Sequence, residues 1–405
     1  MPRLEKRKWS GDLGAYGGRR TRASYTFEAF VPDPIAALEI ALEADVLNVV
    51  SEAERAIDAL NRDPPLVEHL EVLARQLLRA ESVASSRIEG LVLSHRRLAR
   101  ASFGAAQPDL TAESVLGNIR AMERAVALGQ QADPLASADI QAIHHELLAS
   151  TRDAEQGGVV RSVQNWIGGH SDGPRGAEFV PPPPERVPAL LDDLCEFASR
   201  DDLPAVVQAA IVHAQFETIH PFADGNGRVG RCLIHVVLRR RALARQYVPP
   251  VSLVLAGNAK AYVAGLTDYR QGGISRWCGL FASATRTASL GAKRFADKIR
   301  GLQDRWIEQS GSPRADSAAM KLIKRLPAHP IVDVSTVEEL CQCSNQAARL
   351  AVLHLEKAQV LRRLNVGKRN RAWEAADLFQ ILNDLERDLT TPPGQRRPGR
   401  PVPMP

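Results

Sequence analysis

His220-Pro221-Phe222-Ala223-Asp224-Gly225-Asn226-Gly227-Arg228-Val229-Gly230-Arg231 sits between two apolar helical periodicities. Val206, Ala210, Ile211 and Ala214 precede it, and Leu233, Ile234, Val237 and Leu238 follow. The spacing predicts a helix ending near Ile219 and another beginning near Arg231, joined by a turn in which two glycines flank an asparagine. A glycine-rich turn feeding a helix N-terminus is an anion site, because unpaired amides and the helix dipole both favour negative charge. Arg228 and Arg231, three apart, share one face of the first turn, and their guanidinium forks suit phosphate oxygens. Asp224 adds a carboxylate fit for a magnesium ion bridging to phosphate. His220 is the only group nearby whose ordinary pKa lies close to neutral, which makes it the natural general base. The pattern is that of metal-assisted phosphate transfer.

The same stretch matches, at every fixed position, the signature His-x-Phe-x-(Asp or Glu)-Gly-Asn-Gly-Arg-x-x-Arg, and in this the chain resembles the Fic family. The resemblance implies a mainly α fold: a Fic helical core over 106–300 with a β-hairpin flap, preceded by an N-terminal helical region over 1–105. It implies transfer of AMP from ATP to a Ser, Thr or Tyr hydroxyl of a target protein or of the chain itself, with release of pyrophosphate. His220 would deprotonate the hydroxyl, Phe222 anchor the loop, and Asp224 hold Mg2+. Gly225, Asn226 and Gly227 would cradle phosphates, Val229 and Gly230 would complete the nucleotide-binding string, and Arg228 and Arg231 would take the β- and γ-phosphates. Asn258 and Tyr262, one helical turn apart, stand where similar proteins contact adenine. Upstream, 161–169 with Ile167, Gly168 and Gly169, followed by 179–184, looks like the flap, whose backbone would pair with an extended target segment. His213 and His235 lie on apolar helical faces and read as packing residues.

A further resemblance is Ser85-Ser86-Arg87-Ile88-Glu89-Gly90, which matches the inhibitory motif (Ser or Thr)-x-x-x-Glu-(Gly or Asn). Leu66, Leu70, Leu73 and Leu77 predict a helix running to Ile88-Glu89, with Gly90 as its stop. Glu89, set there by Ser85 and Gly90, would compete with the γ-phosphate for Arg231. Beyond a linker over 301–315, residues 316–385 resemble a winged helix-turn-helix domain, with helices over 318–326, 336–341 and 345–358 and N-caps at Ser335 and Ser344. Asn345, Gln346, Arg349 and Lys357 would face outward, and Arg362, Arg363, Lys368, Arg369 and Arg371 would make a basic wing suited to DNA phosphates. The tail over 386–405, alternating Pro and Arg near its end, reads as disordered.

Composition sets the outer bounds. The chain has 405 residues, enough for two or three domains, with 44% hydrophobic and 24% charged residues, the range of a globular protein. A formal charge of +5 spread over that length argues neither for nor against nucleic acid. Cys195, Cys232, Cys278, Cys341 and Cys343 lack metal or redox spacing and read as reduced thiols. The first residues carry no apolar signal, and no run approaches the roughly 18 apolar residues of a membrane span, so a cytoplasmic protein without membrane contact is expected. Residues 1 to about 35 read as an extended arm packed on the body, and Ile35, Leu38 and Leu42 as the start of the first helix. Partners expected are a protein substrate with a hydroxyl side chain, DNA through 316–385, and a second copy in a homodimer. Two alternatives stay open: a different transfer on this scaffold (phosphorylation or AMP removal), and a nucleotide-sensing DNA-binding regulator.

Overall fold

The computed structural model describes residues 2–10, 24–62, 70–104, 109–131, 133–169, 173–366 and 370–391. In chain order the helices begin with α1 (Ala44–Arg62), α2 (Leu70–Ile88), α3 (His95–Ser102), α4 (Leu110–Leu128) and α5 (Ser137–Leu148). They continue with α6 (Val187–Ala198), α7 (Ala205–Ile219), α8 (Asn226–Arg240), α9 (Val251–Gly257) and α10 (Ala259–Arg270). The last five are α11 (Ile274–Gln309), α12 (Ala318–Arg325), α13 (Val334–Cys341), α14 (Asn345–Lys357) and α15 (Ala376–Thr390). The described strands are β1 (Arg3–Trp9), β2 (Tyr25–Val31), β3 (Ile331–Val332), β4 (Arg362–Val366) and β5 (Asn370–Glu374). The fold is therefore mainly α. Two compact units interleave along the sequence, one formed by 1–51, 120–243 and 264–282, the other by 52–119, 244–263 and 283–405.

In the first unit α7 is buried along its whole length, the state of a helix at the centre of a core rather than on its surface. Among its buried polar groups, Gln208 Nε2 donates to Phe197 O at 2.9 Å and Thr218 Oγ1 to Ala214 O at 2.7 Å. Trp277 Nε1 donates to Ala210 O at 2.8 Å, tying the start of α11 to the same helix. The N-terminal arm differs from expectation. It is an antiparallel hairpin, with Arg3 opposite Val31 and Trp9 opposite Tyr25. Helix does not follow Pro34 either: the Ile35 and Ala36 amides donate to the Asp193 carboxylate of α6 at 2.6 and 3.0 Å, Leu38 N–H closes one turn on Ile35 O at 2.9 Å, and α1 starts only at Ala44.

In the second unit, α2 ends as its sequence predicts: Gly90 has φ +82, and Leu91 N–H returns to Ser86 O at 3.0 Å, a left-handed helix stop. The expected beginning of this helix at Leu66 lies outside the described residues. Helices α12 to α14 appear where expected, and a three-stranded antiparallel sheet of order β3-β5-β4 follows. Ser344 caps α14, accepting Ala347 N–H at 3.3 Å. Asp333 rather than Ser335 caps α13, accepting Thr336 N–H at 2.8 Å, since a carboxylate one residue before the first turn reaches the amides directly.

Two boundaries also move. Helix α15 continues through Thr390, past the expected onset of the tail, because Leu382, Leu385 and Leu389 give it a buried face. The rest of the tail, 392–405, lies outside the described residues, as do Lys368 and Arg369. The stretch around the expected linker is largely ordered. Helix α11 runs to Gln309, and Ser310, itself buried, gives its carbonyl to His354 Nε2 at 2.8 Å. One apolar core joins Leu73 and Leu77 of α2, Phe295 and Trp306 of α11, and Leu322, Val352 and Phe379 of the C-terminal elements.

Candidate active site

Helix α7 stops at His220, which takes φ +50 and ψ 62, the left-handed conformation, while its N–H still reaches Phe216 O. That reversal turns the chain sharply into the loop 221–225. The imidazole Nδ1 lies 3.3 Å from Glu217 O. A carbonyl only accepts, so Nδ1 carries the proton in this contact. Helix α8 restarts at Asn226, five residues earlier than the periodicity indicates, after Gly225 in the left-handed region at φ +77. Glycine is required there twice over: a Cβ would also sit 2.8 Å from Leu147 Cδ2.

Asn226 closes the loop on itself. Its Oδ1 accepts Phe222 N–H at 2.9 Å and its Nδ2 donates to Phe222 O at 2.8 Å. Its side chain is thus a staple for the turn rather than a group aimed at solvent. The first intrahelical bond of α8 is Val229 N–H to Gly225 O, so the Asn226 and Gly227 amides lie at the helix's anion-favouring end. Arg228, nearly buried, donates to Asp224 Oδ2 at 3.0 Å, while Asp224 itself is largely exposed. Arg231 is 1% exposed. Its Nη1 lies 4.0 Å from Glu217 Oε1, and Glu217 Oε2 lies 4.0 Å from His220 Nδ1. Gly230 leaves room for that carboxylate, since a Cβ would approach Glu217 Oε1 to 3.1 Å.

Four residues that motif reading passes over hold this arrangement. Glu217 is the first; its place three residues before His220 was the available signal. His144 stacks on buried Phe222 with centroids 3.8 Å apart. Its Nδ1 accepts Gly158 N–H at 3.0 Å, so Nε2 must carry the proton given to Asp224 O at 3.1 Å. Burial lowers its pKa to about 4, which keeps it neutral. Arg161 donates through Nε to His220 O at 2.8 Å and through Nη2 to Pro182 O at 2.6 Å. Desolvation lowers that guanidinium's pKa to about 10. Asn165 Nδ2 donates to both His220 O and Phe222 O, at 3.2 and 3.1 Å. Carbonyl recognition of this kind leaves no side-chain motif to read.

The segment expected to be the flap is a short hairpin: Ile167 N–H donates to Phe179 O and Glu178 N–H to Ile167 O, both at 2.8 Å. Gly168 and Gly169 turn it at φ +73 and +75, and 170–172 lie outside the described residues. The N-terminal hairpin braces it. Trp9 meets Trp166 edge-on at 5.3 Å, Phe30 lies 5.8 Å from Phe179, and Phe30 N–H donates to Val180 O at 2.9 Å. His213 and His235 are fully buried. Burial, with Arg231 adding repulsion, lowers the His213 pKa to about 3.

The remaining sequence-predicted residues belong to the second unit. Asn258 caps α10, its Oδ1 accepting Ala261 N–H at 3.2 Å, and Tyr262 is buried. Ser85 and Ser86 are buried, while Glu89 and Gly90 are exposed. Asn118 Nδ2 fixes this end of α2 through Ser82 O and Ser86 Oγ.

The site is a buried helix start in a mainly helical fold, reached through the left-handed turn at Gly225 and carrying Arg228 and Arg231. Residues 134–238 match the Fic/DOC family model and 47–127 the Fic/DOC family N-terminal model. The chain is a Fic family protein. It is 37% identical over 100 residues to a probable protein adenylyltransferase of Aquifex aeolicus, covering 24% of this chain and 29% of that protein. It is 29% identical over 150 residues to a protein adenylyltransferase of Caenorhabditis elegans, covering 35% of this chain and 27% of that one. The matched stretches thus span less than a third of either relative. The fold is similar to the crystal structure of a Fic family protein from Desulfovibrio desulfuricans, with TM-score 0.51 and 21% identity over 83% of this chain and 97% of that one.

Proposed function

We propose that the chain is a protein adenylyltransferase that moves AMP from ATP to a hydroxyl side chain of a protein, releasing pyrophosphate. The observation that carries the reading is the loop 220–231, in which His220, at the left-handed end of α7, precedes a helix start flanked by Arg228 and Arg231. His220 Nε2 takes the proton of the incoming hydroxyl as its oxygen attacks the α-phosphorus. The Asn226 and Gly227 amides, with Arg228 and Arg231, hold the negative phosphates, and Gly225, Val229 and Gly230 keep the backbone close enough for contact. Asn258 and Tyr262 are assigned to the nucleotide base. Ile167, Gly168 and Gly169 are assigned to the target's extended backbone, by strand addition.

Asp224 suits magnesium: it is an exposed carboxylate beside a phosphate-binding helix start, and this ion takes one or two carboxylates with substrate phosphates completing its shell. When bound, the ion would neutralise phosphate charge. Glu89, through the motif that contains Ser85 and Gly90, is assigned a restraining role on transfer. Incubation of the purified protein with α-labelled ATP and magnesium tests the reading. Label on protein in the Glu89→Gly variant, absent when His220→Ala is added, is expected; no label in any variant refutes it.

A second reading concerns 316–385. Asn345, Gln346, Arg349 and Lys357 on α14, with Arg362, Arg363 and Arg371 on the sheet, are exposed together, as a winged helix on duplex DNA requires. The full chain should bind duplexes with affinity falling steeply as salt rises, because counterion release dominates such contacts. Absence of binding at low salt removes the DNA reading and leaves a protein-interaction role.

A further inference from the structure

Helix α15 lies outside both matched family stretches, yet within the second unit it grips the end of α2. Glu386 of α15 forms an ion pair with Arg87, the residue two before Glu89. Their side chains are 18% and 28% exposed, so the pair is half sheltered from water. His95, at the start of α3, turns Nε2 toward the second Glu386 oxygen at 3.4 Å. That ring is buried, and its pKa is lowered to about 4 by burial and by Arg87, so it meets the carboxylate as a neutral partner. One carboxylate therefore gathers the last turn of α2 and the first of α3 from both sides of the 89–94 connection.

The same helix is closely packed at its C-terminal end, one turn beyond Glu386. A Cβ at Gly257 would fall 2.5 Å from Thr390 O, and one at Gly291 would fall 2.6 Å from Leu389 Cδ2. Both glycines are close-approach positions for the α15 backbone and side chains. A second bond set ties α3 to the adjoining sheet, where buried Glu374 at the end of β5 accepts from Arg96 Nε at 2.9 Å and lies 3.4 Å from Arg100. Arg96 and Arg100 sit one turn apart on α3. The segment carrying Glu89 is thus fixed by two carboxylates, and both come from the C-terminal elements.

We propose that α15, through the Glu386–Arg87 pair, positions the end of α2 that carries Glu89, so that the C-terminal region controls the restraint on transfer. This rests on the reading that Glu89 restrains the reaction. Removing one partner of a sheltered charge pair leaves the other uncompensated and loosens the elements it joined. A signal acting on the C-terminal elements would then reach Glu89 without touching the catalytic loop. Arg87 and Glu386 are positioning residues in this scheme, and their effect on transfer runs through Glu89 alone.

The test compares label transfer from α-labelled ATP for wild type, Glu89→Gly, Glu386→Gln and the double variant, each as the full chain. Glu386→Gln is expected to raise the rate at least about fivefold, the low end of coupling between sites. The double variant should match Glu89→Gly alone, because two changes acting through one group do not add. Exchanging the charges, with Arg87→Glu and Glu386→Arg together, should restore the restraint, and Asp384→Asn on the same helix should change nothing. Hydrogen exchange at the amides of 86–91 reads the same contact without activity, and faster exchange in Glu386→Gln is expected. If Glu89→Gly is activated while Glu386→Gln keeps both wild-type rate and wild-type exchange, the inference fails and the catalytic reading stands. If Glu89→Gly itself is not activated, both the restraint assigned to Glu89 and this inference fall.

Discussion

At the scale of single residues the site depends on conformations that few residues adopt. His220 and Gly225 both occupy the left-handed region, and the peptides between them carry the proposed base and metal ligand. Gly225→Ala should cost about 1–2 kcal/mol from the backbone alone, with the Leu147 clash added. A lower melting temperature and slower transfer are expected, and an unchanged melting curve would contradict the argument. His220→Ala should lower transfer about a hundredfold or more while leaving ATP affinity nearly intact, since the base acts on the hydroxyl and not on the nucleotide. Parallel loss of both, by calorimetry and rate, would show the histidine to be a binding residue. Asp224→Asn should raise the magnesium concentration needed for half-maximal rate. Three buried histidines set a pH limit: His95 and His144 are held near 4 and His213 near 3, against about 6.5 when unfolded. Between those values the unfolded chain binds more protons than the folded one, so stability falls as pH drops from about 6.5 toward 4. Melting temperatures measured across that window should decrease by several degrees, and a flat profile would contradict the burial argument.

At the scale of elements, the hairpin around Ile167 and Phe179 is held from two sides. Arg161 and Asn165 join it to the carbonyls of the His220 loop, and Trp9 and Phe30 join it to the N-terminal hairpin. Arg161→Ala leaves Pro182 O without its buried donor and His220 O with Asn165 alone. It should cost roughly 1–3 kcal/mol for the orphaned carbonyl, and Arg161→Lys should recover little, since one ammonium cannot span the carbonyls of Val163, Pro182, Ile219 and His220 that the guanidinium reaches. Thermal melts of the two variants separate these outcomes. The helices were legible because caps and periodicity are local: Ser344, Gly90 and the leucines of α2 each declare an element within a few residues. The hairpin was not, because Arg3–Trp9 is mostly charged and its pairing with Tyr25–Val31 is made across a long connection. Ile35, Leu38 and Leu42 misled for the converse reason. Their spacing is helical, but Asp193, distant in sequence, fastens this segment to α6, and only a single turn forms there.

At the scale of the whole molecule, the second unit completes its core with residues from both ends of the sequence. Leu73, Leu77, Phe295 and Trp306 pack with the interior of the C-terminal elements, so truncation after residue 315 should expose them and strip the unit of cooperative unfolding. The loop 220–231, the phosphate chemistry proposed for it and the family were legible in the sequence itself, because twelve consecutive residues carry the signature and a local turn brings them together. Only the tertiary structure decided what holds them: Glu217 between His220 and Arg231, His144 beneath Phe222, and Arg161 and Asn165 on the His220 carbonyl. Those contacts join residues of separate elements, or backbone oxygens that every residue type presents alike. Spacing along the chain records neither, since it reports which residues share a turn and is silent on which turns meet.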